Sequence, residues 1–212
     1  RPTSPVVKVD LIEIPKEIKE LHQDLILCID IMFINSLPML TCIDRSLRFR
    51  SLITMDDRTT PSIYAALDKV LRLYNRAGHS IKEMHCDQEF KKLMDEIADN
   101  LDVQMNYTTT DEHVPEAERN NRTIQERYRS AYHNMPFKVI PKVMIKHLAM
   151  VSCDQLNMFP AKGGVSPYLS PHVILTGRAI DYEKHCKIPF GAYVEANNQS
   201  LPTNTNAPRT ID

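Results

Sequence analysis

The hydrophobic positions along the chain fall into two rhythms. Asp24–Phe33 reads DLILCIDIMF, apolar at nearly every place, as in a strand covered on both faces. Pro38–Asp44 and Phe49–Met55 are shorter apolar runs, marked off by the turn signal Asn35-Ser36 and by the polar connection Arg45–Arg48. Three closely spaced runs of this kind predict an antiparallel meander. Asp56–Thr60 breaks the pattern, and the period then becomes helical. Ile63, Leu67, Val70, Leu71 and Tyr74 share one side of Pro61–Arg76, and Gly78 supplies the stop signal. Ile81–Cys86 and Val103–Tyr107 read as two more strands. Between them Glu89–Asn100 has Phe90, Leu93, Met94 and Ile97 at the spacing of a core-facing helix.

A longer helix starts at the stretch VPEAERNNRTIQERYR, Val114–Arg129. Pro115 suits a first turn, where its missing N–H costs nothing, and Glu116 and Glu118 complement the positive end of the helix dipole. Ala117, Ile124, Tyr128 and Ala131 form one apolar stripe. Glu118 lies at its edge, and Arg119, Arg122, Arg127 and Arg129 fill the other faces. Phe137–Val151 reads as a further helix, interrupted near Pro141. From Asn157 the chain becomes rich in Pro, Gly and Ser, an extended connection, and HVILTGRAIDYEKHCKIPFGAYVEAN suggests one or two short strands. Asn197–Asp212 is polar enough to be a disordered tail. A lead-in, 1–23, carries a short helix around Ile14, Ile18 and Leu21. The order β-β-β-α-β-α-β-α-α predicts an α/β domain over 24–156: one five-stranded mixed sheet, three strands antiparallel and then parallel strands, flanked by helices. An extension over 157–196 and the tail over 197–212 complete the organisation.

Composition changes this picture little. The chain is 42% hydrophobic and 25% charged, as soluble globular domains are, and its net charge of −1 advertises no polyanion. The charge is unevenly spread. Glu116–Met150 holds seven Lys/Arg against three Glu, whereas Glu83–Asp102 holds seven Asp/Glu against two Lys. The five cysteines include no CxxC pair; Cys28, Cys42 and Cys86, in apolar or strand-like segments, read as small buried hydrophobes of a reducing compartment, and the eight histidines have no zinc-finger spacing. The longest apolar run, Leu25–Ile34, is far too short for a bilayer and contains Asp30. No membrane partner is expected. The opening RPTSPVVKV lacks Met, as a piece of a longer protein would.

Four carboxylates stand out against the pattern. Asp30 sits inside the most apolar strand, where an ionised group needs a partner or a cation. Asp87 ends the fourth strand, a place that also suits a helix cap. Asp44 ends the second strand, as a turn residue or a partner of Arg45 or Arg48. Glu118, on the long helix, is either half of an i,i+4 pair with Arg122 or a ligand at the margin of a packed helix. If the first and fourth strands are neighbours, Asp30 and Asp87 meet, and the helix can bring Glu118 over them. Three such carboxylates call for hard cations, Mg²⁺ or Mn²⁺. Two ions set about 3.5–4 Å apart are the arrangement for in-line phosphoryl transfer.

These residues resemble a known family. IDIMFIN with Asp30, TCIDRSLRF, HCDQEF with Asp87 and AERNNRTIQERYR with Glu118 are similar to the Asp, Asp, Glu catalytic core of retroviral-type integrases, closest to those of Copia-type (Pseudoviridae) retrotransposon polyproteins. The last piece is the most specific, matching the family's A-E-R-x-N-R-T-[IL] helix. SPYLSPHVILTGRAIDYEKH resembles the region that follows the core in these elements. Asp87 is followed by Gln88-Glu89 where the family has Asn-Gly, and the loop before Glu118 is shorter than usual. The resemblance implies an RNase H-like fold, with Asp30, Asp87 and Glu118 as catalytic residues holding two Mg²⁺ (or Mn²⁺) ions. It implies 3′-end processing and strand transfer, DNA as partner, a homo-oligomer on DNA ends, and action in the nucleus after a cytoplasmic particle stage. Arg119, Arg122, Gln125 and Arg129 are the expected DNA contacts. A metal-dependent nuclease of the same fold, or a non-catalytic DNA-binding domain, would carry the same residues.

Overall fold

A computed structural model describes residues 10–91, 103–108, 114–197 and 210–211. Its sheet is built around the first long apolar run. β1 (Asp24–Ile34) turns through Asn35 and Ser36 into β2 (Leu37–Asp44). Both turn residues have positive φ, 47° and 64°, the handedness that a two-residue hairpin between twisted strands requires. The pairing register follows from that turn: Ile34 faces Leu37 and Asp30 faces Thr41. β3 (Arg50–Thr54) closes the meander, with Ile43 opposite Arg50. α2 (Thr60–Arg76) crosses over to β4 (Ser80–Cys86), which lies parallel to β1; α1 (Lys16–Leu21) precedes them all. β5 (Gln104–Tyr107) adds parallel to β4, giving the order β3-β2-β1-β4-β5. The expected five-stranded mixed sheet is therefore present.

Strand alternation distributes the core between the two faces. Leu25, Leu27, Ile29 and Ile31 of β1 point one way and pack with Ile63, Leu67, Val70 and Tyr74 of α2. Met32 and Ile34 point the other way, onto α3 (Pro115–His133) and α4 (Lys142–Asn157) through Ile124, Tyr128, Ile145 and Leu148. Cys28, also on this second face, packs with Ile43 and with Val114 and Ala117 at the head of α3. The nearly continuous apolar reading of β1 is thus explained by helices on both sides. Of the cysteines, Cys28, Cys42, Cys86 and Cys153 are buried and free, and Cys186 is exposed. Burial pushes the Cys42 and Cys86 thiols up to about 12, so they act as small hydrophobes.

The C-terminal half corrects several expectations. The helix predicted over 137–151 begins only at Lys142, because Pro141 sets its start, and continues to Asn157. Asn157 is buried; its amide accepts from Arg50 N–H (2.8 Å) and donates to Arg50 C=O (2.7 Å), pairing β3 as a neighbouring strand would. The segment expected to hold one or two short strands opens instead with α5 (Pro171–Thr176) and ends in the two-residue strand Ala196–Asn197. Ser170 accepts from Val173 N–H (3.2 Å), Pro171 fills the first turn, and Gly177 ends the helix at φ 65°. α6 (Tyr182–His185) is one turn long. Within the expected tail, β7 (Thr210–Ile211) pairs with β6 (Ala196–Asn197). Of the helix expected over 89–100, Gln88–Phe90 is a tight 3₁₀ turn and the part beyond Lys91 lies outside the described residues. Among the described residues no helix is long and apolar enough to cross a membrane.

Candidate active site

The sheet brings two of the expected acids together. β1 and β4 run parallel with Cys28 beside His85. Asp87 continues β4 in extended conformation (φ −74°, ψ 161°), so two residues on it comes abreast of Asp30, on the same face. Both side chains are half-buried. Asp87 occupies the cap position of the turn Gln88–Phe90, yet its side chain makes no cap bond there. Its Oδ1 instead accepts from the N–H of Val114, the residue that heads α3 (3.2 Å).

α3 ties itself to Asp30 as well. Asn121 donates from Nδ2 to Asp30 Oδ2 (2.6 Å), while Asp30 Oδ1 accepts from the Ile31 N–H (2.7 Å). The Thr41 hydroxyl, on the strand opposite Asp30, donates to Asn121 Oδ1 (2.5 Å). Val114, Glu118 and Asn121 recur at i, i+4 and i+7, one face of the helix. Its two ends bond Asp87 and Asp30, and Glu118 lies between. Glu118 is exposed, and among the described residues no three His, Cys, Asp or Glu side chains gather closely enough to hold a metal ion. The donor chemistry suits a hard divalent cation at the Asp30–Asp87 pair, with Glu118 on the adjacent helix face.

The remaining expected contacts divide. Arg122, Gln125 and Arg129 follow Glu118 along its face of α3. Arg122 is paired with Glu126 (3.0 Å) rather than with Glu118. Gln125 and Arg129 line a cleft of about 310 Å³ with Phe33, Asn35, Tyr128 and Tyr132, and the Arg58 guanidinium lies 5.4 Å from the Phe33 ring centre. Arg119 is turned about 100° away and opens onto a different pocket, behind the helix. Glu116 also lies behind, 3.1 Å from Arg45. Asp44 proves to be a turn residue, fully buried, whose carboxylate accepts from the N–H groups of Ser46 (2.7 Å) and Leu47 (3.1 Å). Asn121 was not singled out from the sequence, although the AERNN motif displays it three residues after Glu118. Thr41 has no sequence signal, since only strand pairing places it.

No protein-family model matches the sequence, and no curated protein matches it. A solved structure does: the catalytic core domain of BIV integrase, 12% identical, with a TM-score of 0.51 over 76% of this chain and 97% of that one. At this identity the likeness speaks for the fold. With its sheet order β3-β2-β1-β4-β5, parallel β1, β4 and β5, and helices on both faces, the chain has the RNase H-like fold of an integrase catalytic core.

Proposed function

We propose that the chain is the catalytic core of a Copia-type retrotransposon integrase, a divalent-metal-dependent polynucleotidyl transferase that processes DNA 3′ ends and joins them to target DNA. The observation that carries this reading is the junction of β1, β4 and α3. The β1–β4 register, carried two residues past Cys28 and His85, sets Asp87 beside Asp30, and each is bonded by an α3 residue that shares a helix face with Glu118. Asp30 and Asp87 would hold the metal, with Glu118 completing a second site. Bound Mg²⁺ or Mn²⁺ supplies the Lewis acid that activates a hydroxyl and stabilises a leaving oxygen. Asn121 and the Val114 N–H orient the two aspartates. Arg122, Gln125 and Arg129, on the face that Glu118 begins, take phosphates of the DNA, and the aromatic cleft of Phe33 and Tyr132 can stack a base. The chain is proposed to act as a homo-oligomer on DNA ends, in the nucleus.

The test is Asp87→Asn, assayed for metal-dependent joining of labelled DNA ends. Asn keeps an oxygen to accept from Val114 and relieves repulsion with Asp30, so the unfolding midpoint should hold or rise while joining is abolished. Retained joining in that variant would refute the assignment. A product pattern of hydrolysis without joining would point instead to a nuclease of the same fold. The non-catalytic reading draws on one observation, the unclustered position of Glu118. It predicts DNA binding that metal leaves unchanged and no DNA cleavage.

A further inference from the structure

Behind α3, on the side away from Glu118, lies a pocket of about 360 Å³ in which five cations face a single carboxylate. Arg48 and Arg50 enter from the β2–β3 side, Arg119 and Arg127 from α3, and Lys162 from the connection after α4; the carboxylate is Glu116. Glu116 is already matched by Arg45 at 3.1 Å. The cations outnumber the carboxylate five to one, and Arg48 also acts on the buried Asp44 carboxyl.

Two further features mark the pocket. The buried Nε groups of Arg48 and Arg50 have no hydrogen-bond partner. Asn120 lines the same pocket at 1% exposure; its Nδ2 lies 3.5 Å from Cys42 C=O, and its buried Oδ1 has no donor. Burial also lowers the pKa of Arg50. Arginine forks match phosphate oxygens two at a time, which favours phosphate over a spherical anion.

We infer that this pocket is a phosphate-binding site separate from the Asp30–Asp87 pair. The phosphate has two sources, a nucleic-acid backbone or a free polyphosphate. The test is calorimetric titration of the whole chain with inorganic pyrophosphate and, separately, with a single-stranded oligonucleotide. Both are run on the unaltered protein, on the double variant Arg127→Gln with Lys162→Gln, and on Asp87→Asn. Arg127 and Lys162 are exposed, so their replacement should leave the fold intact, as circular dichroism would verify. The expected result is at least a tenfold rise in Kd in the double variant for whichever probe binds, and no rise in Asp87→Asn. Pyrophosphate binding as tight as the oligonucleotide assigns the site to free polyphosphate. Tighter oligonucleotide binding, with a shallower salt dependence in the double variant, assigns it to the backbone. Equal affinity in the unaltered protein and the double variant, or no binding of either probe, overturns the inference. Because Asp87→Asn tests the catalytic reading alone, the two proposals fail independently.

Discussion

Asp44 offers a quantitative test of the packing around the β2 terminus. Its carboxyl is fully buried, and burial raises its pKa from an ordinary 3.8 to about 6, against the opposing pull of the Ser46 and Leu47 N–H groups and of Arg48. A folded pKa above the unfolded one means that the folded protein keeps a proton the unfolded chain has lost. Stability is therefore full below about pH 4 and falls as pH rises to about 6, beyond which it is level. A shift of roughly two units at 1.36 kcal/mol each amounts to about 3 kcal/mol. Asp44→Asn keeps the acceptor oxygen for the turn and cannot ionise. Urea unfolding of both proteins between about pH 4 and about pH 7 isolates the residue, since all other titrating groups are shared. The advantage of the aspartate protein over the asparagine variant should decline by about 3 kcal/mol across that range. A difference that stays constant with pH would refute the reasoning, by showing that the turn N–H groups fully offset burial. A difference that grows with pH would reverse it.

Other substitutions test the site and its supports. Asn121→Ala removes a charge-assisted bond to Asp30 and leaves the Thr41 hydroxyl only the Asp30 carbonyl to donate to (3.2 Å); a loss of about 1–3 kcal/mol is expected by thermal or chemical unfolding. Asn157→Ala strips both partners from the Arg50 peptide, and about 2–4 kcal/mol should be lost, with faster amide exchange along β3. Gly177→Ala sets a side chain at φ 65° beside the Ile12 carbonyl and should cost about 1 kcal/mol, read as a lower unfolding midpoint.

How far the sequence reaches depends on the range of the forces involved. The strands of the meander, α2 and α3 were legible because their apolar spacing is a local property, and Asp30 because a charge inside DLILCIDIMF violates that spacing. α5 was not picked out of its segment: Val173 and Ile174 carry no helical period over so short a stretch, and only the Ser170-Pro171 start and the Gly177 stop mark its ends. Asn157 and Thr41 act across pairings set by the tertiary structure, so no local pattern announces them. The arginine pocket was invisible for the same reason. Arg48 and Arg50 are far in sequence from Arg119 and Arg127, and each pair looks like ordinary surface charge until β3 and α3 are brought together.

The central strand carries a last consequence, for the order of assembly. β1 has a near neighbour, β2, reached through a two-residue turn, and a remote one, β4, where Asp24 meets Ser80 only after the meander and α2 have intervened. Local contacts close quickly, whereas the chain must surrender much more freedom before the remote ones reward it. The meander can therefore zip up with Asp30 already in place, while Asp87 and the head of α3 arrive later. The two aspartates straddle a kinetic seam, and the pair exists only once both halves have docked. Opening along that seam would part them while the hairpin stays closed, so the proposed metal pair would rest on a later-formed contact rather than on the most buried one.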